Sequence, residues 1–229
     1  NIKESLFLLD IELESKAKQN ISSEKLSSLL IDLIKKEGLG LLTWDMKIKE
    51  LINRVNFVNS QDINIKLPDF SNESLFNTLD IWLEPYLDNV TTIKQLEELD
   101  LYSILLGQIP WESQQRLDEL LPKSIRVPSG SNINIDYSNA QIPILAVRIQ
   151  EMFGMMETPK ILNNSLALQI HLLSPARRPI QITYDLKSFW DNSYAEVRKE
   201  LRGTYKRHYW PDNPYEAIAT SQTKKHMMK

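Results

Sequence analysis

The chain has 229 residues, of which 42% are hydrophobic and 25% charged, and a formal net charge of −3. That is enough apolar material for one large core or two small ones. The absence of cysteine excludes a disulfide framework and any Cys-ligated zinc or iron–sulfur centre. No run of about eighteen apolar residues occurs and no charged, apolar, small-residue leader opens the chain, so a cytoplasmic protein is expected.

The net charge conceals a split. Residues 1–120 carry 12 Lys and Arg against 21 Asp and Glu, whereas residues 121–229 carry 15 against 9. A basic half beside an acidic one suits contact with a polyanion, and suits docking of one half on the other or simple solubility equally well.

The chain opens on Asn1-Ile2-Lys3 without an initiator methionine and passes almost directly into SLFLLDIELE, which reads as a fragment entered part-way through an element. Loose alternation over residues 6–13 predicts one strand, the last of a sheet lying upstream. From Ser22 on, Leu26, Leu29, Leu30, Leu33 and Ile34 recur at helical spacing, and Gly38 stands after two lysines as a stop. Thr43 is expected to cap a second helix carrying Trp44, Ile48, Leu51, Ile52 and Val55, ending before the polar stretch 59–68.

Three more amphipathic helices are predicted, from Asn72 or Ser74 to Leu87, over residues 92–106 and over residues 111–121. Short connections favour antiparallel neighbours, so residues 21–121 are expected to form a helical bundle with Trp44, Trp82 and Trp111 as core anchors.

Beyond Pro122 the pattern changes. Ile125 and Val127 alternate before Pro128-Ser129-Gly130-Ser131, and Ile133, Ile135 and Tyr137 alternate after it, which predicts a hairpin. Residues 144–153 return to helical spacing, stopped by Gly154. LALQIHLL and IQITY read as strands joined by the proline-bracketed turn Ser174-Pro175-Ala176-Arg177-Arg178-Pro179. The expected fold is α+β: a helical bundle, then a small mixed or antiparallel sheet backed by helices over residues 122–215, with residues 216–229 as a flexible tail.

None of the six glycines is followed by lysine, so the phosphate cradle of a nucleotide hydrolase is missing, and Asp118-Glu119-Leu120-Leu121 matches a magnesium-binding DExH motif only by chance. His171, His208 and His226 lack metal-ligand spacing. Ser129 belongs to a turn rather than a nucleophile elbow. No catalytic or metal-binding residue is therefore assigned.

The positive signal lies near the C-terminus. Ser193 with Glu196 forms a capping-box pattern, Tyr194, Val197 and Leu201 make an apolar stripe, and Gly203 closes the predicted helix. Arg198 and Arg202 fall one turn apart on another face. Tyr205, Lys206, Arg207, His208, Tyr209 and Trp210 follow, a basic segment interleaved with aromatics. Such a mixture suits guanidinium contacts to phosphates and stacking on bases. It equally suits pairing of Arg198 and Arg202 with Glu196 and Glu200, with the aromatics packed on the sheet.

The words LLSPARRPIQIT, SYAEVRKELRG and YKRHYWPDNP resemble the C-terminal block of HrpB-like bacterial DExH-box RNA helicases. IRVPSGSNINIDY with ILAVRIQEMFGMMETP resembles the block before it, as do WLEPYL and QIPWESQQRLDELLP in the first half. From residue 22 to 75 the resemblance is one of pattern only. It implies ATP- and magnesium-dependent motor domains in the same polypeptide, outside this sequence, and places residues 1–20 at the end of an upstream auxiliary domain.

The expected function is that of an accessory region docked on the motor and supporting single-stranded RNA, through Arg177, Arg178, Arg198, Arg202, Lys206 and Arg207. The alternative is a protein-interaction or regulatory platform with no direct RNA contact. No membrane partner is expected.

Overall fold

A computed structural model describes residues 6–8, 11–14, 23–61, 63–223 and 225, with backbone alone before residue 25. The chain divides into two compact units, residues 1–56 with 66–111, and residues 57–65 with 112–229.

In the first unit, the single strand expected over residues 6–13 is instead two, β1 (Leu6–Leu8) and β2 (Ile11–Glu14), paired antiparallel; Leu9 and Asp10 lie outside the described residues, as does Ser22. The next helix, α1 (Ser23–Glu37), buries Leu30, Ile31 and Ile34 along one stripe. It stops at Gly38, whose φ of 92° suits glycine and whose N–H donates to Ile34 O at 2.8 Å.

In α2 (Met46–Ser60) the cap is Asp45 rather than Thr43, because its carboxylate accepts from the Ile48 N–H at 2.8 Å. The residue pattern itself holds, with Ile48, Leu51 and Val55 buried.

The long helix expected to end at Leu87 is broken into α3 (Asn72–Asn77), capped by Ser71, then α4 (Leu79–Trp82) and a 3₁₀ turn, Glu84–Tyr86. Thr78 bonds back to Ser74 O at 2.7 Å and Pro85 has no N–H to continue the ladder. Likewise Asp100 caps a fresh helix and splits the next prediction into α5 (Ile93–Glu97) and α6 (Leu101–Gly107).

Trp82 is buried and donates to Leu75 O at 2.8 Å; Trp44 is half-buried and donates to Leu39 O at 2.8 Å. Trp111 is 69% exposed, so it is not the core anchor expected of it.

The second unit receives α7 (Trp111–Leu120) from its second residue onward. Strands β3 (Ser124–Arg126), β4 (Asn132–Asp136), β5 (Ile144–Arg148), β8 (Gln169–Leu173) and β9 (Pro179–Thr183) form one mixed sheet in the order β3-β4-β5-β8-β9. Short β6 (Lys160–Ile161) and β7 (Leu166–Ala167) pair separately. The α+β expectation holds.

The helix expected over 144–153 is strand β5 followed by a 3₁₀ turn, Ile149–Glu151. Leu145 and Val147 alternate as well as they repeat helically, and parallel pairing with β8 decides between the two patterns.

One face of the sheet is core. Ile135, Leu145, Val147, Ile170 and Leu172 are buried on it, while Asn134, Asp136 and Ala146 alternate outward and are exposed. Phe153 packs against Trp190, Tyr194 and Tyr209 at ring separations of 5.9, 5.8 and 6.3 Å. The chain closes with α8 (Leu186–Ser188), a π turn at Phe189–Ser193 and α9 (Tyr194–Thr204).

The segment expected to be a flexible tail, residues 216–229, makes at least one backbone contact: Thr220 N–H donates to Gln150 O at 3.0 Å. His226 lies outside the described residues.

This sidedness is measurable by denaturant unfolding. Leu172→Ala, at a fully buried position, is expected to cost about 2–5 kcal/mol. His171→Ala, one residue away on the opposite face, should cost no more than about 1.5 kcal/mol; equal losses would contradict the assignment of faces.

Candidate nucleic-acid interface

Strand direction brings the basic residues together. β4 is antiparallel to both β3 and β5, and β5 is parallel to β8, so β3, β5 and β8 run the same way. The segments that follow them, residues 127–131, 149–154 and 174–178, therefore leave from one end of the sheet.

Two of these segments are hairpin turns of the same construction. In the first, Gly130 N–H donates to Val127 O at 2.8 Å and Val127 N–H to Ser131 O at 3.0 Å; in the second, Arg177 N–H donates to Ser174 O at 2.8 Å and Ser174 N–H to Arg178 O at 2.8 Å. Each is a proline-led three-residue loop ending in the left-handed region. Gly130 takes that place at φ 86° and Arg177 takes it at φ 61°. A non-glycine residue there costs on the order of 1 kcal/mol.

The C-terminal helix meets the same end. It begins upstream of the expected start: Asp185 caps α8 through Ser188 N–H at 2.8 Å, the π turn follows, and Ser193 makes no side-chain cap. The capping box of Ser193 with Glu196 is thus not formed. Gly203 lies inside α9, which ends at Thr204, and the Tyr205 N–H returns to Leu201 O at 2.7 Å. The Tyr205 hydroxyl donates to Ser174 Oγ at 3.3 Å, tying the end of α9 to the 174–178 turn. That bond places Arg177 and Arg178 beside the segment carrying Lys206 and Arg207, with Arg202 one helical turn earlier.

Five of the six candidates, Arg177, Arg178, Arg202, Lys206 and Arg207, are exposed and form no ion pair with the described residues. Arg198 differs. It is 19% exposed, its Nε donates to Trp210 O at 3.1 Å and its Nη2 pairs with Asp212 at 2.5 Å. Together with the buried Tyr194 hydroxyl, which donates to Pro211 O at 2.9 Å, it fastens the returning chain to α9. Arg198 is a positioning residue.

The interleaved aromatics also turn inward: Trp210 is 5% exposed and donates to Tyr205 O at 3.0 Å. Burial and the neighbouring Arg148 hold the His208 pKa below the usual histidine range, so it adds no charge at neutral pH.

Sequence reasoning passed over two arginines. Arg126 is exposed at the end of β3, and Arg148 ends β5 with its Nε 2.8 Å from Glu151 Oε1. A basic residue closing each of two strands that run the same way was the available signal; it needed the topology to be read. Glu151 is itself 3% exposed and accepts from the Ser129 hydroxyl at 2.9 Å. Burial acts to raise its pKa, but hydrogen bonds from Ser131, Arg148 and Ser129 outweigh it and hold the carboxyl below its ordinary 4.5.

Among the described residues no three His, Asp or Glu side chains gather as a metal site, and no helix is long and apolar enough to cross a membrane.

Residues 82–214 match the family model HrpB_C, described as ATP-dependent helicase C-terminal. The chain belongs to this family. Over 205 residues it is 40% identical to the ATP-dependent RNA helicase HrpB of Escherichia coli K12, an alignment covering 90% of this chain and 25% of that one. The crystal structure of E. coli DExH-box NTPase HrpB superposes with a TM-score of 0.78 at 37% identity, covering 93% of this chain and 26% of that one. A second, of Escherichia coli DEAH/RHA helicase HrpB, gives 0.70 at 36% identity over 87% and 25%. The chain thus spans about a quarter of the length of these relatives. The whole basic region falls within the HrpB_C match.

Glu151 yields a pH test. Because its folded-state pKa is lowered, its stabilising contribution is complete above about pH 4.5 and is lost as the pH falls through the depressed value. Glu151→Gln is expected to lower stability by about 2 kcal/mol at pH 7 and to flatten the stability profile below pH 4.5, measured by urea unfolding across pH. An unchanged acid limb would exclude this role.

Proposed function

We propose that this chain is the accessory region of an ATP-dependent RNA helicase and that its basic rim holds single-stranded RNA beside the motor domains of the same polypeptide. The observation that carries the reading is that Arg177, Arg178, Arg202, Lys206 and Arg207, exposed and in no ion pair with the described residues, lie on the 174–178 turn and on the segment tied to it through Tyr205, with the exposed Arg126 at the end of β3. Phosphates are the ligands such a rim suits, because each contact releases condensed counterions. Membership of the helicase family and the E. coli relative's description as an RNA helicase support RNA as the polyanion. ATP and magnesium belong in this reading to the motor domains, and the cytoplasm is its compartment.

A second reading, docking of a protein partner, is favoured by one observation. The first unit carries an open cavity of about 660 Å³ with Leu39, Trp44, Ile52 and Phe76 among its lining residues. In that reading RNA affinity is negligible and the chain comigrates with separately expressed motor domains.

Salt titration of RNA binding separates the two. Replacing Arg178 and Arg202 by alanine is expected to reduce the slope of log K against log salt by about 0.7 per residue, as for single strands. Arg177→Gly is the sharper variant. It relieves the left-handed backbone and should leave stability equal or raised by about 1 kcal/mol while weakening RNA binding. No binding at low salt would sink the reading.

A further inference from the structure

We propose that the open face of the five-stranded sheet is a base-stacking platform for single-stranded RNA, with His171 and Tyr184 as its ring contacts. This rests on the rim reading above and extends it from phosphates to bases.

The cross-strand register lays out the face. Ala146 of β5 pairs with His171 of β8, which pairs with Ile182 of β9. These three point away from the core, since Val147 and Leu172, the next residues on β5 and β8, are buried. Ala146 is exposed, Ile182 is 52% exposed and Tyr184, just beyond the end of β9, is 51% exposed. An outward sheet face with water as its neighbour ordinarily carries polar side chains. Beside the polar Asn134 and Asp136 at one side, it carries over β5, β8 and β9 a small residue, a half-buried imidazole, an exposed branched aliphatic and an exposed phenol ring.

The rings are also held in place. His171 Nε2 and Gln169 Oε1 are 2.8 Å apart, and the Gln169 Nε2 donates to the Tyr184 hydroxyl at 2.7 Å. Both ends of one amide are occupied in fixing two rings, so little ordering remains to be done when a base arrives. Such a network contributes little to an exposed surface for its own sake.

Charge indicates the occupant. In the next outward row of the parallel pair, Arg148 lies opposite Leu173, two residues or about 7 Å along the strands from His171. Ser174 follows, and with it the turn of Arg177 and Arg178 and the contact to Tyr205. The face therefore ends, past a bulge between Leu172 and Leu173, at the turn that carries Arg177 and Arg178, while Asp136 occupies its far end opposite Ile144. Stacking rings that continue into a row of cations suit a single strand with splayed bases. A protein partner would call for a wider desolvated apolar centre than Ile182 and one tyrosine provide.

The test uses the full chain with fluorescein-labelled dodecauridylate and, as a second probe, an abasic ribose-phosphate oligomer of the same length, followed by anisotropy. His171→Ala and Tyr184→Ala are each expected to weaken dodecauridylate binding about tenfold with the salt slope unchanged, and to leave the abasic oligomer unaffected. His171→Phe should restore affinity, since it keeps a ring and loses the imidazole. A thermal midpoint near that of the parent shows that the variants fold.

If the double alanine variant binds dodecauridylate as tightly as the parent, the platform is overturned and the rim reading stands. If the parent shows no salt-dependent binding, both fall. Loss of comigration with motor domains at unchanged RNA affinity would make the face a protein-docking surface and equally overturn the proposal.

Discussion

Parallel pairing of β5 with β8 determines where the functional groups of the second unit are placed. Two strands that run the same way cannot be joined by a tight turn; the chain must cross back over the sheet. Residues 149–168 make that crossing, and it supplies Phe153, around which Trp190, Tyr194 and Tyr209 assemble, and Glu151, which secures the first hairpin turn through Ser129. The same pairing makes the strand ends coincide, so that a turn after β3, a 3₁₀ turn after β5 and a turn after β8 share one edge. An antiparallel β8 would send Arg177 and Arg178 to the opposite end from Arg126 and Arg148.

Ser174 and Arg198, polar groups drawn inward at this end of the sheet, are both partnered, whereas the buried His208 Nδ1 has no hydrogen-bond partner among the described residues. Ser174 is fully buried: its hydroxyl accepts from Arg178 N–H at 3.1 Å and lies 3.3 Å from the Tyr205 hydroxyl. Arg198 shows how far a guanidinium can be diverted to structure. Its contacts to Trp210 O and Asp212 fix a return segment that has no regular secondary structure of its own. In consequence the basic and aromatic residues of 205–210, interleaved in sequence, separate in space. Trp210 goes inward and Lys206 and Arg207 outward. In the proposed platform the stacking rings come instead from His171 on β8 and from Tyr184, just beyond β9.

Local patterns were legible where local physics decides. The stripe and glycine stop of α1, the hairpin around Gly130 and the two strands bracketing residues 174–178 follow from spacing and turn chemistry alone. Failures fall where a distant partner decides. Leu145, Val147 and Ile149 fit two periodicities until β8 arrives beside them. Ser193 has the right spacing to Glu196 for a cap, but an upstream cap at Asp185 starts the helical segment earlier.

The candidate site divides in the same way. The cations were visible as residue types. The commitment of Arg198 depended on Asp212 folding back from beyond the helix, and the contribution of Arg126 and Arg148 depended on strand direction.

The magnitudes bear on why a rim would need a platform. Five single-strand phosphate contacts give a salt exponent of about −3.5, so affinity drawn from charge alone falls roughly a hundredfold between about 50 and 200 mM salt. Stacking depends far less on counterions, at about 1–3 kcal/mol per base. A rim without rings would be an electrostatic funnel that releases its strand as ionic strength approaches that of a cell. Rings without a rim would offer no long-range attraction and no register along the backbone. In the proposed platform His171 lies one strand repeat beyond Arg148, and Tyr184, level with Gln169, lies two, so the two kinds of contact would share one sheet. There the spacing of His171 from Arg148 is fixed by backbone hydrogen bonds, and the turn carrying Arg177 and Arg178 follows directly on β8.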